Sequence, residues 1–238
     1  MKIHQITDLH IPENDAAANL AHVKANVQRQ IAFVAYDNSD LLVISGDLTM
    51  TDASSSACQW LKENLPDSPK TIIMPGNHDD PAVLWEVFGE QRCVNESFYY
   101  SFEYDALQYI FVNTTTDSLP QDQLEFLSSE GAKKPSILFI HHPPDLVSKD
   151  GFMALNQPLT NHAEVAEVIR ASQISDVFCG HYHNCADIDC GGFQLHLTSS
   201  PAFQIDLHAA AFTPQPFEPS IRIIETEGLN LSTHIVYV

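Results

Sequence analysis

Five short motifs hold much of the metal-ligating and proton-transferring chemistry of this chain: Asp8-x-His10, Gly46-Asp47, Gly76-Asn77-His78-Asp79, His141-His142-Pro143-Pro144 and Gly180-His181-Tyr182-His183. Six of the twelve histidines fall inside them. Carboxylate and amide oxygens mixed with imidazole nitrogens suit borderline divalent ions such as Fe, Mn and Zn. Two such ions ~3.5–4 Å apart can clamp the attacking and leaving oxygens of a phosphoryl displacement. Asp8, His10, Asp47, Asn77, His141, His181 and His183 supply enough ligands for two ions if one carboxylate bridges them, with room left for water. The set contains no cysteine, which favours an open catalytic site over a closed structural one. Each motif alone is weak, since Gly-Asp is usually a turn. Their conjunction carries the reading. His4, His22, His162, His196, His208 and His234 stand outside the motifs and read as ordinary residues.

Elements must bring these motifs together, and the hydrophobic pattern supplies them. Residues 2–7 read as a strand. Leu20, Val23, Val27, Ile31 and Val34 then recur at three- and four-residue steps, the pattern of a helix burying one face. Residues 40–45 are a continuous apolar strand of the kind covered on both faces. A helix over 54–65, with Trp60 and Leu61 inward, precedes a strand at 70–74, and Pro81 opens a short helix. Residues 97–104 and 107–113 form a hairpin pattern. The second half continues with a helix at 121–129, a strand at 136–140, a helix at 162–171 and a strand at 176–179. Strands at 187–189 and 194–198 flank a Gly191-Gly192 turn, and a final hairpin joins 221–225 to 231–238. Residues 144–161 read as a loop without a motif, and 209–219, with three prolines, as a surface loop. Every motif follows a strand, and in open α/β sheets sites gather beyond the carboxyl ends of strands. One α/β domain over residues 1–238 is expected.

Composition narrows the partners. With 31 acidic against 11 basic residues the net charge is −20, which argues against long nucleic acid and against an anionic membrane surface. A small anionic ester remains compatible, because a metal site supplies local positive charge. No apolar run reaches the ~20 residues that span a bilayer. The chain opens on a strand pattern rather than a secretory signal, so a cytoplasmic location is expected. Five cysteines at irregular spacing make no disulfide framework and no structural zinc site.

Taken in order, the five motifs resemble those of the calcineurin-like metallophosphoesterases over residues 8–183. The resemblance implies an α/β four-layer sandwich, two mixed β-sheets packed together and flanked by helices. It implies that Asp8, His10, Asp47 and His183 hold one divalent transition metal ion, and that Asn77, His141 and His181 hold a second, shared through Asp47. His78 is implied to be catalytic without being a ligand. It would stabilise charge on the leaving oxygen or protonate it, a role that suits an imidazole. Three details are similar to bacterial class III cyclic-nucleotide phosphodiesterases: the opening Ile6-Thr7-Asp8-Leu9-His10, the double proline after His141-His142, and residues 197–204. The expected activity is hydrolysis of small phosphodiesters, foremost 3′,5′-cyclic nucleotides such as cyclic AMP, by in-line attack of a metal-bridging hydroxide. Another small diester, such as a glycerophosphodiester, or a phosphomonoester is the alternative. A non-catalytic binding module on the same fold is less favoured, because such modules lose ligands and all are present here. Protein Ser/Thr phosphatases of this fold continue Gly-Asp into x-x-Asp-Arg-Gly. Here Leu48-Thr49-Met50-Thr51-Asp52 stands instead, without the arginine, so a phosphoprotein substrate is not expected. No motif reads a base edge, so little selectivity among nucleobases is expected.

Overall fold

A computed structural model describes residues 1–13, 21–50, 54–145, 147, 151–156, 159–215 and 217–238. In chain order the elements are β1 (Lys2–Ile6), α1 (Ala21–Tyr36), β2 (Leu41–Ser45), α2 (Ser55–Asn64), β3 (Lys70–Met74), α3 (Pro81–Phe88), β4 (Tyr100–Tyr104), β5 (Leu107–Phe111), α4 (Gln121–Gly131), β6 (Ser136–Phe139), α5 (Phe152–Asn156) and α6 (His162–Arg170). Then follow β7 (Ile174–Cys179), β8 (Ala186–Asp189), β9 (Gln194–Leu197), β10 (Gln204–Ile205), β11 (Pro214–Gln215), β12 (Ser220–Glu227) and β13 (Asn230–Tyr237). One sheet has the order β13-β12-β1-β2-β3 and the other β4-β5-β6-β7-β9-β8. Strands β1, β2 and β3 are parallel in the first; β5, β6, β7 and β9 are parallel in the second. Antiparallel pairs at the edges make both sheets mixed.

The period of two along a strand explains the layering. Leu41 and Val43 of β2 point between the sheets, where they meet Tyr109, Phe111, Ile137 and Phe139. Leu42 and Ile44 point the other way, onto the faces that α1 and α2 present through Val23, Val27, Ile31, Val34 and Leu61. The second sheet repeats the scheme. Ile110, Leu138 and Val177 pack outward against Leu124 and Leu127 of α4 and Val165 and Ile169 of α6. The layers are therefore helix, sheet, sheet, helix, as expected. Between the sheets a ladder of rings runs across five strands: Phe102 on Tyr109 and Phe111, Phe111 on Phe139, Phe139 on Phe178, and Phe178 on His196. Such cross-strand aromatic pairs fix register and rigidify the platform under the site.

Several expectations from the sequence need correction. The 144–161 stretch contains a helix, α5, and the 209–219 stretch contains β11, which pairs with β10 through Gln204↔Gln215 and Ile205↔Pro214. Pro214 fits there because a proline at an edge strand removes no ladder donor. Strand β7 begins at Ile174 and β4 only at Tyr100. Leu20, Thr51, Asp52 and Pro216 lie outside the described residues. Among the described residues no helix is long and apolar enough to cross a membrane.

Candidate metal centre

Six parallel strands deliver their carboxyl ends to one place. β1 leads to Asp8 and His10, β2 to Asp47, β3 to Asn77 and His78, β6 to His141, β7 to His181 and His183, and β9 to Ser200 and Phe203. Asp8, His10, Asp47, His141, His181 and His183 are all buried. Ligand atoms of Asp8, His10, Asp47 and His183 lie within 4.8 Å of one another, and so do those of Asp47, His141 and His181. Asp47 belongs to both groups. Its Oδ2 stands 3.6 Å from His10 Nε2 and 3.4 Å from His141 Nε2, while Asp8 Oδ1 stands 3.4 Å from His183 Nε2.

The turns that carry these side chains are strained. Asp8, His10, Asp47, His181 and His183 all have positive φ, between 43° and 66°. The left-handed region costs an L-residue ~1–2 kcal/mol, so other bonds must hold these five in place. Those bonds tie each turn to a neighbour. The His181 N–H donates to both Asp8 carboxylate oxygens at 3.0 Å, and the His78 N–H to Asp47 Oδ1 at 2.9 Å. The Asp8 N–H donates to the Gly46 carbonyl at 2.9 Å. Ser200 Oγ donates to the Asp8 carbonyl at 2.7 Å and accepts from the Ala202 N–H at 3.0 Å. A Cβ on Gly46 would strike His141, one on Gly76 would strike Asp47, and one on Gly180 would strike Thr7 and Asp8. These three glycines are where the chain passes under a ligand side chain.

Hydrogen bonds also aim the imidazoles. His141 Nδ1 donates to the Ser45 carbonyl at 2.9 Å, and His183 Nδ1 to the Phe203 carbonyl at 3.2 Å. Both bonds leave Nε2 as the ring nitrogen turned toward the cluster. His142, beside the cluster, is held by Thr114 Oγ1 at 2.8 Å and Asp117 Oδ1 at 3.2 Å, and its ring packs 4.2 Å from that of His181.

Cation chemistry is what these donors fit. His10 Nε2 and His183 Nε2 face each other at 2.9 Å. Burial brings the His10 imidazole down to about 4 and the His183 imidazole well below its usual range, so both rings are neutral and present lone pairs to a common point. Buried Asn77 Oδ1 and His141 Nε2 have no hydrogen-bond partner, which is costly unless something else satisfies them. Burial pushes the Asp8 carboxyl up to about 7, with the Asp47 charge adding to it. His141 moves the other way. Burial would lower it, but the Asp47 and Asp8 carboxylates raise it to about 10. Asp47 is held well below the carboxylate range by His141, His10 and His78, despite its burial. The cluster is thus an ionised carboxylate surrounded by nitrogen donors, a set that binds a divalent metal ion.

A cavity of about 230 Å³ opens over the cluster. One side is polar, formed by His10, Asp47, Asn77, His78, His181 and His183; the other is apolar, formed by Met50, Phe152, Met153, Phe203, Ile205 and Phe212. His78 is only partly buried, with Nδ1 3.0 Å from the Met50 carbonyl oxygen.

All eight residues singled out in the sequence converge here. Three further contributors had no role assigned. Asp79, buried, accepts from the N–H groups of Leu48, Thr49 and Gly76, locking the turn after β2 to the turn after β3. Burial first and the Asp47 charge second raise its carboxyl to about 6. Its place within Gly-Asn-His-Asp was the available signal. Ser200 and Phe203 sit in the tail beyond β9. The Phe203 ring lies 4.4 Å from that of His183 and 5.7 Å from that of His10. The resemblance of residues 197–204 marks the segment, but nothing in these residue types announces that placement.

Comparison with known proteins agrees with the site. Over 230 residues, covering 94% of this chain and 89% of the other, the sequence is 33% identical to a probable cyclic nucleotide phosphodiesterase of Fibrobacter succinogenes. It is 27% identical over 197 residues, 78% of this chain and 70% of the other, to the 3′,5′-cyclic adenosine monophosphate phosphodiesterase of Escherichia coli K12. A dimetal phosphatase from Danio rerio shares the fold, with a TM-score of 0.67 at 13% identity, covering 100% of this chain and 98% of that one. The model of the calcineurin-like phosphoesterase family matches residues 1–185, and the chain belongs to that family.

Proposed function

We propose that the protein is a two-metal hydrolase of small phosphodiesters, with 3′,5′-cyclic nucleotides as its substrates. The observation that carries the metal part is Asp47, common to two groups of converging ligand atoms. In this reading Asp8, His10, Asp47 and His183 hold one ion, and Asp47, Asn77, His141 and His181 the other, both of Fe, Mn or Zn type. When bound, the ions supply Lewis acidity at the phosphoryl oxygens and a water acidic enough to attack near neutral pH. The residues of the chain do the rest. Asp79, Ser200 and the strained turns hold the ligands in place, so little reorganisation is left for the reaction. His78 has Nδ1 committed to the Met50 carbonyl, which leaves Nε2 as the atom facing the cavity. In hydrolysis one P–O ester bond breaks and water supplies the new oxygen on phosphorus. The leaving ribose oxygen takes the Nε2 proton of a doubly protonated His78 ring, leaving a neutral imidazole with its remaining proton on Nδ1 and a nucleoside monophosphate.

The substrate reading rests on the relatives named as cyclic nucleotide phosphodiesterases and on a cavity of about 230 Å³ lined by both polar and apolar residues. A net charge of −20 repels a polyanion once it extends beyond a Debye length of ~8 Å from the ions. We also place the protein in the cytoplasm, where its five free cysteines stay reduced. The test is kcat/KM for cyclic AMP beside glycerophosphoethanolamine and a nitrophenyl diester, all with the same metal. Cyclic AMP should be the best of the three. Good turnover of the glycerophosphodiester with cyclic AMP untouched would leave the metal chemistry standing and remove the substrate.

A further inference from the structure

Three of the six apolar residues lining the cavity are rings, and they stand in succession. Phe203, in contact with His10 and His183, is followed by Phe212 at 6.0 Å and 71°. Phe152 meets Phe212 at 6.2 Å and 75°. The three come from separate places: Phe203 from the connection leaving β9, Phe212 from the segment before β11, and Phe152 from the first position of α5. A backbone bond from the Phe152 N–H to the Ala209 carbonyl, 2.8 Å, couples the last two segments. Phe212 remains 49% exposed although it lines the cavity. A large half-exposed ring beside a site that binds anions contributes nothing to phosphate chemistry, but it offers a π-face to whatever the phosphoester carries.

We propose that Phe212 and Phe152, which meet nearly at right angles, form a clip in which one ring stacks on the face of a planar ring of the substrate and the other closes against its side, holding a nucleobase while the phosphoester sits over the cluster. The inference rests on the phosphodiesterase reading above and names the part of the molecule that the cavity selects. Stacking is indifferent to base identity because every base has a π-face. The clip therefore predicts base tolerance, in keeping with a chain that has no residue pattern for reading base edges.

The experiment compares wild type with Phe212→Ala, Phe152→Ala and Phe212→Trp, all loaded with Mn²⁺. KM is measured for cyclic AMP, cyclic GMP and bis(4-nitrophenyl) phosphate, with the inhibition constant of inorganic phosphate as the ringless probe. Phe212→Ala and Phe152→Ala should raise KM for both cyclic nucleotides about 5- to 150-fold, the range of a lost base–aromatic stack. Phosphate inhibition should stay within about twofold, and Phe212→Trp should keep the wild-type KM. Unchanged KM values, or equal losses for nucleotides and phosphate, would overturn the clip. If wild type leaves cyclic nucleotides untouched, the substrate reading fails separately. The clip is then judged on the nitrophenyl diester, where a raised KM upholds it and an unchanged one overturns it.

Discussion

Replacing Ser200 with alanine isolates what the β9 tail does for the metal centre. The hydroxyl is fully buried, donates to the Asp8 carbonyl at 2.7 Å and accepts from the Ala202 N–H at 3.0 Å and the Phe203 N–H at 3.4 Å. Alanine fills nearly the same space, so the loss is one of hydrogen bonds. Leaving such buried groups unsatisfied costs ~1–3 kcal/mol, and about 2 kcal/mol lowers Tm by about 4–8 °C in a chain of this size. The metal should feel a second effect. Asp8 is held at φ 52°, and without the clamp it relaxes toward ordinary backbone. The ion must then restore a conformation costing ~1–2 kcal/mol, which weakens it about 5- to 30-fold. Ser199→Ala is the control, since Ser199 is equally buried in the same stretch but bonds Ser220 Oγ at 2.5 Å instead. The assay is Mn²⁺ affinity by competition with a chelator, beside thermal unfolding of the metal-free protein. Comparable stability losses in both variants, with wild-type Mn²⁺ affinity in Ser200→Ala, would refute the clamp.

Three further outcomes are expected. His78→Ala should keep its metals and lose turnover ~10²–10⁴-fold, less for nitrophenol leaving groups; a uniform loss would assign His78 to phosphate positioning instead. Gly180→Ala puts a Cβ into Thr7 and the Asp8 carboxylate, so the purified variant should lack bound metal, and full metal content by elemental analysis would contradict the packing. Metal uptake should release protons, because His141, raised to about 10, must be neutral to ligate and Asp8, raised to about 7, must be ionised. Mn²⁺ affinity should therefore rise from pH 6 to pH 8, by about tenfold per unit for each proton released; a flat profile would contradict the assignment.

The sequence shows most of this site because its motifs sit at the ends of strands whose apolar runs are unmistakable. Residues 40–45 and 136–140 announce buried strands, and Asp47 and His141 follow directly. What stayed illegible depends on contacts between distant segments. Ser200 reaches Asp8 across 192 positions, and a serine in a polar stretch carries no mark of its partner. Phe212 lies in a proline-rich segment that reads as a surface loop, and the pairing of β10 with β11 together with the Phe152–Ala209 backbone bond brings it to the cavity. The positive φ of Asp8, His10, Asp47, His181 and His183 is likewise invisible, since histidine and aspartate have no obligation to adopt it.

A two-ion centre joined by Asp47 fixes how much metal the protein can hold. Elemental analysis of protein reconstituted with Mn²⁺ should give two ions per chain for wild type. Asp47→Ala, which removes the carboxylate common to both groups of ligand atoms, should give less than one. A wild type that never exceeds one ion, or an Asp47→Ala variant that retains two, would contradict the account.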